Sequence, residues 1–301
     1  MQQKVNSIKK SMSEQVLALA QQVVDFSGVD VEILPPEISQ LASRPETFGD
    51  PRVLAYTTAK STIAHILHRN PASDAMLRIV YPDTNGHPLT AGLDRFLSRS
   101  LSGQALRDRL TVCSAWLAEH FVKENKTIID LGGGSGSYAF ESLATKSPPS
   151  GFRWRVLDLD GESLQFCNDL IAVYDFQNVI ETRQDNFMST TSVDEKFDYA
   201  VLIGVLCGMD YNMAVSCLSR AKAHLKPGGE IYAATLLQRA FDEDPRTFRL
   251  LCNIGGWQLR PKHLPKVQQI FQDAGWEITS IMSERENGHG QYAIVHAVMP
   301  T

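Results

Sequence analysis

From Thr127 onwards the chain alternates between short apolar runs and amphipathic segments, and this order restricts the fold more than any other feature. Runs of strand composition separated by helical segments are the pattern of βαβ units, which build a parallel sheet covered by helices. The predicted strands are Thr127–Leu131, Trp154–Leu157, Val179–Arg183, Phe197–Ile203, Glu230–Leu236, Glu277–Ser283 and Gln291–Val298. The predicted helices between them are Tyr138–Ala144, Glu162–Tyr174, Tyr211–His224 and Pro265–Ala274.

The last two strands are joined by the short sequence RENGHG. Its Asn-Gly pair favours a tight turn, so these strands are expected to pair antiparallel. The fold class is therefore α/β: a doubly wound, mostly parallel seven-stranded sheet with an antiparallel C-terminal strand, preceded by an N-terminal helical domain. Helical periodicity over Val16–Val24, Ala55–His68 and Leu93–Phe121 places that helical domain at 1–125 and the sheet domain at 126–301.

The composition argues against several classes of function. Among 301 residues, 29 Lys and Arg stand against 34 Asp and Glu, and the net charge of −5 argues against a large nucleic-acid surface. No stretch approaches the ~20 apolar residues of a membrane span. Gln21 and Gln22 interrupt the apolar segment that a signal peptide would need. We therefore expect a cytoplasmic protein that binds neither nucleic acid nor membranes.

Potential metal ligands are scattered along the chain. The five cysteines form no CxxC pair, which is typical of reduced cytosolic thiols. His65 and His68 lie three residues apart, but the sequence offers no third ligand beside them. No metal site is predicted.

The stretch TIIDLGGGSGSYAF places glycines between the first predicted strand and the first helix of the sheet domain. Glycine lets backbone N–H groups approach a ligand where a Cβ atom would collide, and the following helix N-terminus adds partial positive charge. A nucleotide-like ligand is therefore expected. The nicotinamide pattern G-x-G-x-x-G fits only with Ser137 in its last place, whereas D-x-G-x-G-x-G is complete from Asp130 to Gly136.

With this motif the sequence resembles the class I, Rossmann-like methyltransferases that depend on S-adenosylmethionine (SAM), and among them the small-molecule type. The order of elements from Thr127 to Pro300 is similar, as are the acid after the second strand, RQDNF after the third, and LKPGGEIYAATL at the fifth. The resemblance implies SAM as cofactor. It assigns cofactor binding to Asp130, Gly132, Gly133, Gly134, Gly136, Asp158, Leu159, Asp185, Asn186, Phe187, Gly204 and Arg107.

The resemblance also implies roles for the acids that follow the second and third strands. Asp158 would accept hydrogen bonds from the ribose hydroxyls, with Asp160 as a nearby competitor. Asp185 would contact the adenine amino group, Asn186 would offer a further donor, and Phe187 would cover the ring. The alternative for Asp158 is a helix cap, and the alternative for Asp185 is a solvated turn.

Two arginines precede the first strand of the sheet domain. Arg107 would pair with the SAM carboxylate if its helix folds over the cofactor, and Arg109 is the alternative. For both residues the competing interpretation is a solvated helix face. Helices before the core often form a lid over the substrate in this family, so residues 1–125 and the segment Arg239–Arg260 are expected to form one here.

The implied function is SAM-dependent methyl transfer to a small-molecule acceptor, a metabolite or secondary metabolite. The loop Gly204–Gly208 lacks the Asn/Asp-Pro-Pro-Tyr signature of methylation on amino groups of bases or glutamine. One alternative consumes SAM without methylation, by cyclisation to azetidine-2-carboxylate or aminocarboxypropyl transfer, with release of methylthioadenosine. A SAM-binding protein without catalysis is the third hypothesis, and a homodimer is a further option.

No catalytic residue is assigned from the sequence. The candidates are Tyr138, Tyr174, Cys207, Asp210 and Tyr211. Packing is the alternative for the first three, and capping of the helix that begins there is the alternative for the last two.

Overall fold

The computed structural model describes residues 74–81, 93–189, 195–245, 258–285 and 290–300, together with residues 63, 66, 247, 248, 251 and 252. Several predicted features lie outside the described residues: the helix Val16–Val24, most of Ala55–His68 with its two histidines, the centre of the RENGHG turn, and the loop at 253–257 of the predicted lid. Residues 63 and 66, within the second predicted helix, are helical.

A seven-stranded sheet confirms the predicted fold class. Its strands run in the order β3-β2-β1-β4-β5-β7-β6. They are β1 (Thr127–Leu131), β2 (Arg153–Asp158), β3 (Ile180–Gln184), β4 (Phe197–Ile203), β5 (Leu225–Leu236), β6 (Glu277–Met282) and β7 (Tyr292–Val298). The pairs among β1 to β5 are parallel, whereas β7 lies antiparallel between β5 and β6. The antiparallel C-terminal strand is thus confirmed.

Eight α-helices carry labels here. They are α1 (Ala75–Val80), α2 (Leu93–Arg99), α3 (Leu101–His120), α4 (Ser137–Thr145), α5 (Gly161–Tyr174), α6 (Tyr211–Ala221), α7 (Gln238–Glu243) and α8 (Leu264–Asp273). The predicted pair of helices over Leu93–Phe121 is confirmed as α2 and α3. The predicted helix Tyr211–His224 ends as α6 at Ala221 and continues as one 3₁₀ turn.

The chain divides into two compact units. The first contains Met1–Arg107 with Ala240–Leu259, and the second contains Asp108–Arg239 with Arg260–Thr301. The division therefore falls within α3. The boundary at 125/126 and the lid role of residues 1–125 stay predictions.

Helices cover both faces of the sheet in the second unit. On one face, α6 and α8 bury apolar side chains such as Leu218 and Phe271 against β1, β4, β5 and β7. On the other face, Trp116 of α3 stacks on Tyr232 of β5 with ring centroids 4.1 Å apart. The apolar runs of the parallel strands are continuous because both of their faces are buried.

The strand predicted at Glu230–Leu236 begins earlier, at Leu225, and Lys226–Gly229 interrupt its pairing. Leu225 pairs with Phe197, but the next pair joins Glu230 to Tyr199, so the register shifts across the intervening residues. Gly228 has a φ of 70° there. The Pro-Gly-Gly sequence therefore lies within β5, where it bends the strand, and does not precede it.

Polar side chains at the amino ends of β1 and β4 form a closed network. Asp198 accepts hydrogen bonds from Lys126 at 3.0 Å, from Lys226 at 2.8 Å and from the Thr127 amide at 3.0 Å. Burial alone would raise the pKa of Asp198, but these donors hold the pKa down at about 2. This network joins the starts of two neighbouring strands.

Polar contacts also organise the first unit. The Asp244 carboxylate accepts from the Ser102 amide at 3.1 Å and from its hydroxyl at 2.8 Å. Asp94, 3% exposed, accepts from the amide of Ile63 at 3.1 Å. The rings of Phe241 and Phe248 stack with centroids 4.5 Å apart.

Candidate cofactor site

The glycine loop between β1 and α4 lies at the carboxyl edge of the sheet. Gly132, Gly134 and Gly136 have φ angles of 74°, 56° and 73°, which favour glycine. A Cβ atom at Gly132 would lie 2.6 Å from Cγ2 of Val205, and one at Gly136 would lie 2.9 Å from Sγ of Cys167. The loop thus has both the backbone conformation and the close packing that only glycine allows.

Asp130 supports this loop from within the sheet. Its side chain is 2% exposed, and a Cβ atom at Gly133 would lie 2.6 Å from its Cγ. No described residue hydrogen bonds to Oδ2. Burial raises the pKa of Asp130 to about 8, and the nearby charge of Asp158 adds to the shift. The glycine loop therefore packs against Asp130, a buried acid that favours its protonated, neutral form.

Asp158 connects the end of β2 to the glycine loop. Its Oδ2 accepts from the Gly134 amide at 2.8 Å and its Oδ1 from the Asp160 amide at 2.9 Å. The helix cap of α5 is Asp160, which accepts from the Glu162 amide at 3.0 Å, so capping is not the role of Asp158. Each carboxylate oxygen has two lone pairs, so Asp158 keeps acceptor capacity at this edge. Beside it, Leu159 is 62% exposed.

The residues after β3 adopt a local turn. The Asp185 amide donates to the Asp158 carbonyl at 3.0 Å, and the Asp185 carboxylate pairs with Arg183 at 3.3 Å. Oδ1 of Asn186 accepts from the Met188 amide. Phe187 is 7% exposed and belongs to the core. The structure thus brings Asp185 to Asp158, whereas most of the Phe187 ring serves packing.

The two arginines of α3 have different surroundings. Arg107 donates to the carbonyls of Ser98 at 2.8 Å and Val80 at 3.2 Å within the first unit. Arg109 is 3% exposed and donates through Nε to the Tyr138 hydroxyl at 2.9 Å. A Cβ atom at Gly204, which has a φ of 89°, would lie 3.8 Å from an Arg109 nitrogen. These contacts favour Arg109 over Arg107 as the cation at the carboxyl edge.

The segment after β4 forms a 3₁₀ helix, Val205–Gly208, whose Leu206 and Cys207 are buried. Lys262, 7% exposed, donates through Nζ to the Leu206 carbonyl at 2.8 Å, and the Arg260 amide donates to the Cys207 carbonyl at 2.8 Å. Burial lowers the pKa of Lys262. The apolar segment is thereby fixed beside the glycine loop.

The other catalytic candidates occupy structural positions. Asp210 caps α6 by accepting from the Met213 amide at 2.9 Å. The Tyr211 hydroxyl hydrogen bonds to Asp273 of α8, and Lys266 lies 3.8 Å from the centre of its ring. Tyr174 ends α5 and packs near Phe140 with centroids 6.0 Å apart. Of the five candidates, Tyr138 alone contacts Arg109 in the described contacts.

Sequence analysis missed two buried polar residues beside β7. Glu284 is 4% exposed, and its carboxylate accepts from the amides of Gln291 at 2.6 Å and Tyr292 at 3.0 Å. Gln291 is fully buried. The sequence ERENGHGQY gave no motif that distinguishes these residues from ordinary turn residues, and only the antiparallel position of β7 brings them to this edge.

A family described as a methyltransferase domain matches residues 102–281. The chain belongs to the methyltransferase-domain family. A search of curated proteins found no significant match. The family and the fold make this methyltransferase a SAM-dependent transferase, as the glycine motif predicted.

Solved structures support the same fold. A protein from Bordetella parapertussis, described as a possible exported protein, is similar with 17% identity and a TM-score of 0.68, covering 89% of this chain and 100% of that one. Magnesium protoporphyrin IX methyltransferase (ChlM) from Synechocystis PCC 6803, with bound SAH, has 15% identity, a TM-score of 0.55 and coverage of 78% and 99%. The [4+2]-cyclase SpnF has 17% identity, a TM-score of 0.51 and coverage of 67% and 84%.

The methyltransferase has residues that suit SAM. Its glycine loop is a cradle that Cβ atoms would fill, Asp158 offers carboxylate lone pairs, and Arg109 offers a buried cation within the same unit. These groups complement the hydroxyl and carboxylate groups of the cofactor. The role of each individual residue stays a prediction.

Among the described residues, no helix has the length and apolar character needed to cross a membrane. Within the same part of the chain, no group of three or more His, Cys, Asp or Glu side chains is arranged to hold a metal ion. The cytoplasmic location and the homodimer stay predictions.

Proposed function

We propose that this methyltransferase transfers the methyl group of SAM to a small-molecule acceptor. The observation that supports this most directly is the apolar 3₁₀ helix Val205–Gly208 at the carboxyl end of β4. It occupies the place of the polar Asn/Asp-Pro-Pro-Tyr signature that methylates amino groups of bases or glutamine. With a net charge of −5, a large polyanionic acceptor is also disfavoured.

Residues of the second unit would hold the cofactor. Arg109 would bind its carboxylate, because a buried guanidinium forms strong charge-assisted hydrogen bonds. Asp158 would accept from its ribose hydroxyls while keeping the Gly134 amide in place at 2.8 Å. Asp185 is the candidate for the adenine amino group. When bound, SAM supplies a methyl group that is electrophilic because it is attached to a positively charged sulfur.

Apolar side chains of the protein would exclude water from the region where the methyl group is transferred. Val205 packs on Gly132 so closely that no Cβ atom fits between them, and Leu206 and Cys207 are buried behind it. Excluding water strengthens the electrostatic interactions inside a site and prevents hydrolysis. Methyl transfer also disperses the positive charge of the sulfur, so an apolar segment here favours the transition state over the charged ground state.

Neighbours of the same fold agree with an acceptor of this size. ChlM is named for the methylation of magnesium protoporphyrin IX, a small molecule. Its identity of 15% indicates a shared fold and not a shared acceptor. The acceptor class of this protein therefore has to be argued from its own residues.

The decisive experiment identifies the product formed from SAM. The purified protein is incubated with SAM, with and without a metabolite fraction freed of protein and nucleic acid. S-adenosylhomocysteine (SAH) that forms only with the fraction supports methyl transfer to a small molecule. Methylthioadenosine that forms without any acceptor would contradict it and indicate cyclisation. Unchanged SAM under all conditions would leave a binding protein without catalysis.

The paired arginines test the cofactor assignment. Arg109→Gln should weaken SAM binding by about tenfold or more, because it removes a buried charge-assisted hydrogen bond. Arg107→Gln is the matched control, since its guanidinium serves carbonyls of the first unit. Isothermal titration calorimetry measures both affinities. Equal losses in the two variants would contradict the assignment.

A further inference from the structure

Arg109 is a buried cation that lies over an aromatic ring. Its side chain is 3% exposed, and its guanidinium carbon lies 4.5 Å from the centre of the Tyr292 ring. Its Nε donates to the hydroxyl of Tyr138, the second residue of α4, at 2.9 Å. A Cβ atom at Gly204, just after β4, would lie 3.8 Å from one terminal nitrogen of Arg109 and 3.9 Å from the other. The guanidinium therefore lies at the edge where open α/β sheets bind ligands.

Backbone contacts fix the position of the Tyr292 ring. Tyr292 is the first residue of β7, is 5% exposed and pairs with Leu236 at the end of β5. Its amide donates to the Glu284 carboxylate at 3.0 Å. Because side chains alternate along a strand, its ring projects from the face opposite to Ala293, whose side chain belongs to the core beneath α6 and α8. The Tyr292 ring therefore lies on the face of the sheet that α3 covers.

An aromatic face is a suitable support for a cation that has to bind an anion. The guanidinium is attracted to the electron-rich face of the ring, and the attraction is stronger where both groups are removed from water. A carboxylate partner would accept from two N–H groups of the guanidinium and compete with an anionic ligand. The ring face and the Tyr138 hydroxyl carry no full charge. These two contacts therefore orient Arg109 without neutralising it.

We propose that Tyr292 is a positioning residue, which holds Arg109 ready for the carboxylate of SAM and thereby makes the cofactor site selective for ligands with that group. The proposal rests on the proposed function, in which Arg109 binds this carboxylate. Bidentate binding of a carboxylate requires a guanidinium with a defined orientation. Tyr138 holds the Nε side and Tyr292 holds one face, so less ordering remains to be done when the ligand binds.

The first experiment measures selectivity for one carboxylate. SAH and decarboxylated SAH differ in that group alone, and neither can donate a methyl group. Isothermal titration calorimetry should show that the wild-type protein binds SAH at least about tenfold more tightly, because the analogue cannot form the charge-assisted hydrogen bonds to Arg109. Equal affinities for the two ligands would overturn the proposal.

Two substitutions at position 292 separate the charge distribution of the ring from its size. Tyr292→Phe keeps both and should bind SAH within about threefold of wild type. Tyr292→pentafluorophenylalanine keeps the ring but reverses the charge of its face, so SAH affinity should fall by about tenfold while the affinity for decarboxylated SAH is unchanged. Equal weakening of both ligands, or no weakening, would overturn the proposal. A loss of the SAH preference in Tyr292→Phe would assign the effect to the hydroxyl and also overturn it.

A matched control and a double variant exclude a general loss of packing. Tyr199→Leu removes a buried ring from the amino half of β4, where it stacks on Phe121 with centroids 4.0 Å apart. Tyr199→Leu and Tyr292→Leu should both unfold at a lower temperature, but only Tyr292→Leu should lose the preference for SAH. In the Arg109→Gln background, Tyr292→Leu should change SAH affinity by less than about twofold, because a positioning residue acts through the group that it positions. A further tenfold loss there would overturn the proposal.

The outcomes distinguish this proposal from the proposed function. If Arg109→Gln keeps the wild-type preference for SAH, the role of Arg109 in cofactor binding fails, and this proposal fails with it. If Arg109→Gln loses the preference but Tyr292→pentafluorophenylalanine keeps it, Tyr292 is not a positioning residue and the role of Arg109 stands. The product formed from SAM, which is SAH or methylthioadenosine, tests methyl transfer independently of these affinities.

Discussion

The two edges of the sheet differ in how completely their polar side chains are hydrogen-bonded. At the amino edge, Asp198 receives hydrogen bonds from two lysines and Thr127, and its pKa is held at about 2. At the carboxyl edge, Oδ2 of Asp130 and the side-chain amide of Gln291 have no hydrogen-bond partner among the described residues, and burial raises the pKa of Asp130 to about 8. One edge is optimised for stability, whereas the other leaves polar groups available to ligands at a cost in folding free energy.

The strongest test of this contrast places the same strained substitution at each edge. Gly132→Ala should weaken SAM binding by roughly 100-fold or more, about 2.7 kcal/mol, because its Cβ would lie 2.6 Å from Val205 and its φ is 74°. Gly228→Ala, with a φ of 70° in the β5 interruption, should cost about 1–2 kcal/mol of stability and leave SAM affinity unchanged. Calorimetric titration and urea unfolding measure the two effects. Comparable losses of SAM affinity in both variants would remove the contrast.

At the amino edge, Asp198→Asn should lower the free energy of unfolding at pH 7 by about 2 kcal/mol. The folded-state pKa of Asp198 lies below its unfolded value, so its contribution is present above about pH 4 and is lost as the pH falls through about 2. Urea unfolding across this range measures it. Equal free energies of unfolding for wild type and variant at every pH would contradict the role of this network. As a control, the SAM affinity of the variant should be unchanged.

At the carboxyl edge, Asp158 and Asp160 lie two residues apart, and their substitutions should have different effects. One should weaken SAM binding, and the other should lower stability. Asp158→Ala should weaken SAM binding by about 10–30-fold, through loss of charge-assisted hydrogen bonds. Asp160→Ala removes the cap of α5 and should cost about 1 kcal/mol of stability without changing SAM affinity. If the Asp160 variant lost the affinity instead, the ribose assignment would move to Asp160.

A further effect concerns the pH dependence of Asp130. Burial raises its folded-state pKa above the unfolded value, so the native state holds the proton more tightly and stability falls as the pH rises between about 4 and 8. One group gives a slope of at most ~1.4 kcal/mol per pH unit. Asp130→Asn should flatten this decline in urea unfolding between pH 5 and 8, roughly the range that the pKa shift defines. An unchanged slope would show that the decline has another origin.

Sequence could predict the local parts of this molecule. Strands, glycine loop and the acid after β2 are each encoded within a few consecutive residues, so their order was sufficient to predict the sheet and the cofactor. Arg107 and Arg109 show the limit of prediction from consecutive residues. They lie two positions apart and therefore on opposite sides of α3, and periodicity does not say which side meets the sheet domain.

Residues that meet through topology could not be predicted. Glu284 and Gln291 reach the cofactor edge only because β7 runs antiparallel between β5 and β6. The sequence left Asp158 as either a ribose ligand or a helix cap, and the structure shows that Asp160 is the cap, because its carboxylate accepts from the Glu162 amide. The residues 286–289 and 253–257, beside these positions in the chain, lie outside the described residues.

The interior position of β7 has a consequence for the order of assembly. Among the described strands, β6 contacts the sheet only through β7, although β6 is made first. During synthesis β6 therefore has to wait until residues 292–298 have emerged and docked beside β5. The same event brings Gln291 and Tyr292 to the carboxyl edge of the sheet, so the enzyme completes its sheet and this part of that edge in one late step.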